Sequence, residues 1–523
     1  MTDNFNPVTC PKCGYEENSI SAQKCEICGQ ALKKSNSLTP IIAGVGAVAM
    51  LGGLGYFGYN MFTSMKGENA PADQTAPATT DTQPAAQPTA QPVAATPNDT
   101  PASSPSADVS TALSWGERVL FTDAPNADMQ AGATAFAAGD YATASAKFAA
   151  VRQAVRNDPE ALIYLNNAQI GTGPALGIAA VVPIDDTPNA ARELLRGVAQ
   201  AQEEAIQAGV PIKVLIADDG NDADKAAAIA TALVKDPAIV GVIGHGTSAT
   251  TLAAAPIYQQ GQIPMIAPTS TSTELATLPR EGSNFIFRVI PSDQFSGTSL
   301  VRHMLSAGKT RPIVFYNSES SYSKSLQEAL STTLSLEGGQ VAKLVDLSQG
   351  NPPAELAESG ADAVVLLPDS STFDQAIAVA KANQEQLPIW AGDAFYRIEA
   401  LEKGGASLTN TTVVVPWHPQ KADPKFTQAS ASLWGGDINW RTALSYDAFQ
   451  ALRSARTTGN VTPEMGTQGR VPLGQALAGQ GFTATGTTGP ISFLPSGDRN
   501  SNVLLVKVQP GSRSGTGFDF VPF

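Results

Sequence analysis

The stretch IVGVIGHGTSATTLAAAPIYQQGQIPMIAP, from Ile239 to Pro268, decides the fold of this chain. It opens and closes with short apolar runs, IVGVIG and IPMIAP, which are typical of strands buried on both faces. The residues between them predict one helix that starts near Ser248. A strand, a helix and a strand in this order predict a parallel pair joined by a right-handed crossover.

The same alternation extends on both sides of this unit. The apolar runs GIAAVVPI (177–184) and IKVLIA (212–217) precede it, and the spacing of apolar residues predicts a helix from Ala190 to Ala208. The pattern restarts in the second half, where the predicted strands are RPIVFYN (311–317), VAKLVDL (341–347), AVVLL (363–367) and PIWAG (388–392). Two such sets predict an α/β fold with two doubly wound lobes of parallel strands over residues 173–523.

Polar residues follow the predicted strands, and loops at the carboxyl ends of such strands form the ligand crevice. Ser248 is expected to cap its helix, whose free N–H groups and positive dipole end suit a carboxylate. The hydroxyl groups of residues 269–273 can complete that site. Tyr322 falls at the start of a helix, and Asp393 directly follows a strand, where it could pair with an ammonium group.

Each of these side chains also has a structural interpretation. Ser248 could only cap its helix, Tyr322 could pack inside its lobe, and Asp393 could cap a short helix. The three histidines are scattered without metal-ligand spacing, which favours structural roles for them.

From about Leu176 to Phe523 the chain resembles the branched-chain amino-acid-binding family of periplasmic receptors, the type I solute-binding proteins that serve ABC importers. The blocks GHGTSATT, PMIAPTSTSTEL, FIFRVIPSDQFSG and YNSESSYSKSLQEAL follow the order and spacing of that family, and SYDAFQAL and ISFLPSGDRN match its later portion. The resemblance implies the type I periplasmic-binding-protein fold and capture of an amino acid between the lobes.

The resemblance also implies roles for five residues of this chain. Ser248 would bind the ligand carboxylate, and Ser270 and Thr271 would contact both ends of the amino acid. Tyr322 would close over the ligand, and Asp393 would pair with its α-ammonium group.

The first loop departs from the family pattern. Many relatives carry an aromatic residue where this chain has Ala190, and Asp185 and Asp186 add negative charge nearby. Asp393 is shorter than the glutamate often found at its position. These changes leave room for a ligand with a polar or cationic side chain.

The four cysteines of the chain form two Cys-x-x-Cys pairs, Cys10 with Cys13 and Cys25 with Cys28, within residues 1–37. Four thiolates on two tight turns suit tetrahedral zinc, and the segment resembles the zinc-ribbon family. Disulfides or a redox pair are the alternatives. We therefore expect zinc as a cofactor of a cytoplasmic N-terminal module.

Residues 38–62 contain no charged side chain. At 1.5 Å per residue they would form a helix of about 37 Å, enough to cross the roughly 30 Å hydrocarbon core. A cleaved signal peptide is the alternative, but a metal module ahead of the stretch argues against cleavage. Lys33 and Lys34 favour a cytoplasmic N-terminus, which would place the binding domain in the periplasm or outside the cell.

Two further segments precede the lobes. Residues 63–112 are dominated by Pro, Ala, Thr, Gln and Asp, which predicts a disordered tether. Residues 113–172 resemble a tetratricopeptide repeat with one full repeat and part of another. This helical segment could offer a docking surface to a partner, or it could be a spacer packed on the next domain, which we favour.

Composition and missing motifs narrow the function. The net charge is −14 and no basic cluster is present, so nucleic acid is not an expected partner. GHGTSAT lacks the G-x-S-x-G elbow of serine hydrolases, and no G-x-G-x-x-G follows the first strand, so we expect no enzyme. We expect a membrane-anchored protein that delivers an amino acid to an ABC permease; the alternative is a tethered ligand sensor acting through a partner protein.

Overall fold

The computed structural model describes residues 109–280, 282–357 and 359–523. The strands in these ranges are β1 (Leu113–Ser114), β2 (Leu176–Val182), β3 (Ile212–Asp218), β4 (Ile239–Ile243), β5 (Met265–Ala267), β6 (Ile286–Arg288), β7 (Pro312–Tyr316), β8 (Lys343–Asp346), β9 (Ala363–Leu367), β10 (Ile389–Ala391), β11 (Thr412–Val415), β12 (Ala484–Gly486), β13 (Gly489–Ile491), β14 (Leu504–Pro510) and β15 (Phe518–Pro522). The α-helices are α1 (Ala127–Ala137), α2 (Tyr141–Ala154), α3 (Pro159–Ile170), α4 (Pro188–Gln207), α5 (Ala223–Lys235), α6 (Ser248–Gln260), α7 (Asp293–Ser306), α8 (Ser321–Leu336), α9 (Phe373–Asn383), α10 (Ile398–Gly404), α11 (Pro424–Trp434), α12 (Trp440–Thr458) and α13 (Arg470–Ala478).

The predicted zinc ribbon, membrane helix and nearly all of the predicted tether lie outside the described residues. Within the described ranges, the structure contains no helix of the length and apolar character that a membrane crossing needs. The same ranges hold no group of three or more His, Cys, Asp or Glu side chains arranged to bind a metal ion. The ribbon and the anchor therefore stay predictions.

The first lobe is built on a six-stranded sheet in the order β1-β3-β2-β4-β5-β6. The neighbours are parallel except for β1, which pairs antiparallel with β3. All seven residues of β2 are buried, which explains why its sequence is continuously apolar. The strand order reverses between β2 and β4, and this reversal opens a crevice at the carboxyl ends of those strands.

The second lobe repeats this topology on a seven-stranded sheet in the order β15-β14-β11-β10-β9-β7-β8. Strands β7 to β11 are parallel, and β14 and β15 extend the sheet antiparallel from β11. The two doubly wound lobes are therefore confirmed, and the eight predicted strands agree with the observed ones to within two residues at each end. The sheets are mixed, however, because β1 adds an antiparallel edge to the first sheet and β14 and β15 add one to the second, three strands that the sequence did not predict.

The chain passes between the lobes after β6, after β11 and after β13. Two of these crossings are held together by Arg288, which is fully buried at the end of β6. Its Nε donates to Oδ1 of Asp498 at 2.6 Å, and its Nη1 donates to the carbonyl of Ser272 at 2.7 Å. Because a buried charge without a partner is costly, this ion pair keeps the two crossings side by side.

The helical segment packs against the first lobe. Asp140 caps α2 and Asp158 caps α3, so each helix begins at a turn that the sequence indicates. The rings of Phe148 and Tyr164 pack with their centroids 5.6 Å apart and join α2 to α3. Packing of this kind is what the spacer interpretation expects; the resemblance to a tetratricopeptide repeat and the docking role stay predictions.

Asn167 fastens this segment to the sheet. Its fully buried amide nitrogen donates to the carbonyl oxygens of Trp115 at 2.7 Å and Val214 at 2.8 Å. Its Oδ1 accepts hydrogen bonds from the Val214 amide at 3.1 Å and from Nε2 of Gln202 at 2.9 Å. One side chain therefore connects α3, β3, α4 and the turn after β1.

We expect Asn167→Ala to lower the free energy of unfolding by about 2–4 kcal/mol, because the N–H and C=O groups of Val214 would lose buried partners. Urea unfolding followed by tryptophan fluorescence measures this change. The matched control is Asn157→Ala, an exposed site, which should change stability by less than about 0.5 kcal/mol. Equal effects in the two variants would show that Asn167 does not anchor the segment.

Candidate ligand-binding site

A cavity of about 510 Å³ lies between the carboxyl ends of the two sheets. Its walls come from the loops after β2, β4 and β5 of the first lobe, from those after β7, β9 and β10 of the second, and from the first turn of α12. This position follows from the topology, since both strand-order reversals open toward the same space. The volume lies within the range of roughly 300–1,000 Å³ found for small-molecule sites.

The first turn of α6 forms one wall. The helix begins at Ser248, but its N-cap is Thr247, so the prediction of Ser248 as the cap is wrong. The hydroxyl of Thr247 accepts from the amide of Thr250, and the Thr250 hydroxyl accepts from the amide of Thr247, both at 3.4 Å. Ser248 and Ala249 line the cavity, and their amides belong to the first helical turn, where N–H groups have no acceptor within the helix.

A buried polar cluster of His245, Asp219 and Tyr258 lies beside this turn. Nδ1 of His245 contacts Oδ2 of Asp219 at 2.8 Å, and its Nε2 contacts the hydroxyl of Tyr258 at 3.2 Å. All three side chains lie in the interior. His245 therefore has the structural role that the sequence favours.

The loop after β5 holds Thr269, Ser270 and Thr271 in different surroundings, and their predicted contacts with a ligand stay predictions. Thr269 lines the cavity, whereas Ser270 and Thr271 do not and are almost fully buried. The hydroxyl of Ser270 donates to the carbonyl of Thr247 at 3.2 Å, which ties this loop to the α6 cap. The hydroxyl of Thr271 has no hydrogen-bond partner. The structure thus places Ser270 and Thr271 behind the wall that Ser248 and Thr269 form.

Tyr322 and Asp393 line the opposite wall and bind each other. The Tyr322 hydroxyl donates to Oδ1 of Asp393 at 2.7 Å and accepts from the amide of Ala394 at 3.2 Å. Gly392 makes this approach possible, because a Cβ there would lie 2.7 Å from the hydroxyl oxygen. The turn at Asp393 carries no side-chain cap, so the capping interpretation of Asp393 is wrong.

Burial governs the ionisation of this pair. It raises the pKa of Asp393, and the hydrogen bond from Tyr322 and the charge of Arg441 oppose that rise only in part. Burial, reinforced by the neighbouring carboxylates, raises the pKa of Tyr322 well above its ordinary value. Tyr322 therefore stays protonated and donates to Asp393.

A second carboxyl group, that of Asp293, lies near Asp393. Asp293, the first residue of α7, is fully buried, and neither of its carboxyl oxygens makes a hydrogen bond of standard geometry with any described residue. Burial raises its pKa to about 7, and the charge of Asp393 adds to this rise, while the hydroxyls of Ser325 and Thr271 oppose it. Two buried acids thus lie near one another where the lobes meet.

Further cavity residues were not assigned from the sequence. Glu319 and Asp369 follow β7 and β9, so the strand-end rule that found Asp393 could have found them. Trp440 and Arg441 also line the cavity, but they begin a helix and carry no such signal. Asp186 and Ala190, the departures noted in the first loop, line it as well.

Another cavity, of about 470 Å³, lies near Tyr396, His418 and Arg513. It contains none of the five predicted site residues. Nε of Arg513 is paired with Asp437 at 2.7 Å, and Nε2 of His418 bonds the carbonyl of Phe520 at 3.1 Å. The strand-end cavity therefore remains the candidate site.

Comparison with known proteins agrees with this geometry. Residues 186–513 match the periplasmic binding protein family. An amino acid binding protein of Pseudomonas aeruginosa is 26% identical over 178 residues, which are 32% of this chain and 47% of the relative. The leucine-specific-binding protein of Salmonella typhimurium is 24% identical over 250 residues, which are 46% of this chain and 66% of the relative. The chain thus spans less than two thirds of the length of either relative.

The solved structure of a leucine-binding protein from Thermotoga maritima superimposes with a TM-score of 0.57 at 23% identity, and covers 66% of this chain and 97% of its own. This likeness shows the fold. The relatives are solute-binding proteins and not enzymes. The family match covers well over half of the 523 residues, and the chain belongs to the periplasmic binding protein family.

Proposed function

We propose that this protein captures an amino acid between its two lobes, outside the cytoplasm, and delivers it to an ABC importer. The observation that carries the proposal is the opposition of two charges across one cavity. The first turn of α6 with Ser248 presents N–H groups and a positive dipole end, and Asp393 presents a buried carboxyl group. A zwitterion has the two complementary charges.

Recognition would then divide between the lobes. Ser248 and Thr269 of the first lobe hold the carboxylate, and Asp393 of the second lobe holds the ammonium group, so both ends are bound only when the lobes close. Tyr322 keeps Asp393 in place through its 2.7 Å hydrogen bond and covers the ligand. Ser270 supports the first turn of α6 through its hydrogen bond to the carbonyl of Thr247. The hydroxyl of Thr271 lies near the carboxyl group of Asp293 and lowers its pKa.

The names of the relatives support the ligand class. The Pseudomonas protein is named for amino acids and the Salmonella and Thermotoga proteins for leucine.

The melting temperature of the protein, measured in the presence of each of the twenty amino acids, tests the ligand class. A ligand at a hundred times its dissociation constant adds about 2.7 kcal/mol of stability and so raises the melting temperature. No shift with any amino acid would overturn the proposed function.

A tethered sensor is the second candidate. In that case a partner protein would read the closure of the lobes. The observation that favours it is the helical segment, which Asn167 fastens rigidly to the first lobe and which could pass its position to a partner. Amino-acid uptake that persists after deletion of the gene would favour the sensor, and uptake that stops would favour the importer.

We expect Asp393→Asn to weaken amino-acid binding by at least about 30-fold, because the ligand ammonium would lose its buried charged partner. Isothermal titration calorimetry measures the affinity. The matched control is Asp374→Asn, an exposed aspartate of the same lobe, which should leave the dissociation constant unchanged. An unchanged affinity in Asp393→Asn would exclude Asp393 as the ammonium site.

Asp293 should make stability depend on pH. Its folded pKa of about 7 exceeds the ordinary value of 3.8, so the native state binds more protons between these values. The contribution of Asp293 to stability is complete below about pH 4 and is lost as the pH rises through 7. At 1.36 kcal/mol per pKa unit, the loss reaches at most about 4 kcal/mol.

Asp293→Asn should therefore match the parent protein near pH 4 and exceed its stability at pH 8. Urea unfolding at several pH values gives the difference in the free energy of unfolding between the two proteins. The contributions of the other titrating groups are the same in both proteins and cancel in this difference. A difference that does not change with pH would mean that Asp293 is not protonated in the folded state.

The proposal also includes two N-terminal modules. A zinc ion is bound in the cytoplasm by four cysteines, Cys10, Cys13, Cys25 and Cys28. A membrane helix formed by residues 38–62 anchors the protein. We expect one zinc ion per chain by elemental analysis, lost in Cys13→Ser, and recovery of the chain with membranes after an alkaline wash. A zinc-free chain would contradict the ribbon, and release by the wash would contradict the anchor.

A further inference from the structure

The second cavity, the one of about 470 Å³ near Tyr396, also lies between the two lobes. Glu193 and Arg196 of α4 line it from the first lobe, together with the loop between α11 and α12. Tyr396 and Arg397 line it from the second lobe, together with the turn between β14 and β15. Arg397 also lines the ligand cavity, so the two cavities are neighbours.

Arg196 is held in place because α4 packs closely against α12. A Cβ at Gly197 would lie 2.0 Å from the carbonyl oxygen of Thr442, so only glycine allows this approach. The hydroxyl of Thr442 donates to the carbonyl of Glu193 at 2.7 Å. The Nε of Arg196 donates to the carbonyl of Asn157, in the helical segment, at 3.2 Å. The guanidinium group of Arg196 therefore has a fixed place in the wall of the second cavity.

Each of the three acidic side chains that line the second cavity already has a hydrogen-bond donor. Oε2 of Glu193 accepts from Nη1 of Arg441 at 3.1 Å, and Oδ2 of Asp437 accepts from Nε of Arg513 at 2.7 Å. The carboxylate of Asp519 accepts from two backbone amides of the turn between β14 and β15, at 2.7 and 3.0 Å. These acids are therefore not waiting for a cation.

Three other side chains of the second cavity offer donors without acceptors. Arg196 and Arg397 each use only Nε in a hydrogen bond, that of Arg397 with Oε2 of Glu399 at 3.1 Å. The Nη groups of both arginines and the hydroxyl of Tyr396 make no hydrogen bond with any described residue, and none of these atoms is closed off from solvent. Burial raises the pKa of Tyr396, so its hydroxyl stays protonated and can donate.

Donors that reach solvent and lack an acceptor suit an anion. Guanidinium groups bind carboxylate and phosphate oxygens through paired N–H donors. Burial lowers the pKa of Arg196 from its ordinary value, so a bound anion would offset the cost of burying its charge. The volume of the second cavity lies within the range found for small organic ligands.

We propose that the second cavity binds the oxyanion group, a carboxylate or a phosphate, of a small organic molecule through Arg196, Arg397 and Tyr396. Because the two arginines belong to different lobes, an anion that contacts both is held fully only when the lobes approach each other. Resting on the proposed function, this second site favours the same closed state as the amino acid, so each ligand tightens the binding of the other. The anion is thus a regulator of amino-acid capture.

Titration calorimetry of the full-length protein with inorganic phosphate and with citrate, at constant ionic strength, tests the anion site. We expect citrate to bind and glycerol, an uncharged probe, not to bind. Arg196→Gln should weaken citrate at least about tenfold, because it removes a charge-assisted donor. Arg196→Lys keeps the charge without the planar fork, and its affinity should fall between the two. Arg196 does not line the ligand cavity, so these variants separate the two sites.

Arg311→Gln is the matched control. Arg311 is an exposed arginine of the second lobe that lines neither cavity, so this variant should leave the affinity for citrate unchanged. Tyr396→Phe removes only a hydroxyl that no described residue uses, and it should weaken citrate about tenfold with the melting temperature of the free protein unchanged. It serves as the second test if Arg196→Gln does not fold.

The melting series with the twenty amino acids, repeated in saturating citrate, tests the coupling. The amino acid that binds should show a dissociation constant at least about fivefold lower with citrate, and this gain should be absent in Arg196→Gln. An amino-acid affinity that citrate does not change would overturn the regulatory role.

Equal affinities for citrate in the parent protein, Arg196→Gln and Tyr396→Phe would overturn the anion site. So would the absence of binding of either anion at about 10 mM. Both results leave the proposed function intact. Binding of citrate by the second cavity, with no amino acid bound anywhere, would overturn the proposed function alone.

Discussion

The structure depends on the requirement that every buried backbone N–H and C=O group find a hydrogen-bond partner. The parallel strands meet this requirement inside their sheets, and helices cover both faces, so β2 and β4 carry only apolar or small residues. Polar side chains are then confined to the loops at the strand ends. Because both sheets direct their carboxyl ends toward one space, the polar groups of two lobes meet in a single cavity.

Two carboxyl groups, those of Asp393 and Asp293, lie at or near this cavity, and burial disfavours their charged forms. Asp393 is almost fully enclosed and accepts a hydrogen bond from the neutral hydroxyl of Tyr322, and Asp293 lies close to it, with the neutral hydroxyls of Ser325 and Thr271 nearby. Neither acid has a cationic hydrogen-bond partner, so an incoming ammonium group would relieve an existing cost rather than replace an existing ion pair. In the proposed function, binding of the ammonium group and closure of the lobes would be coupled through electrostatics.

Close contacts fix the elements that surround the cavity. The helical segment and the first turn of α12 are both tied to the first lobe, by Asn167 and by the close approach at Gly197 respectively. The pair of Arg288 with Asp498 keeps two of the crossings together. Closure can then be a rotation of whole lobes about these crossings, with the ligand groups of each lobe already in place.

Local sequence was enough to predict the eight strands and the positions of Ser248, Tyr322 and Asp393, because a buried strand and the polar residue that follows it are adjacent in the chain. It did not distinguish Thr247 from Ser248 as the cap, since both residue types cap helices well. It could not show that Ser270 and Thr271 are almost fully buried, because their burial depends on the path of their loop through the fold.

Only the tertiary structure could bring α12 against α4 and so carry Trp440 and Arg441 to a site defined by strands far away in the sequence. The same holds for Asp293, whose pKa depends on its enclosure and on the distant Asp393. Contacts between residues remote in sequence leave no periodic pattern in the chain, and the burial of a charge depends on every element packed around it.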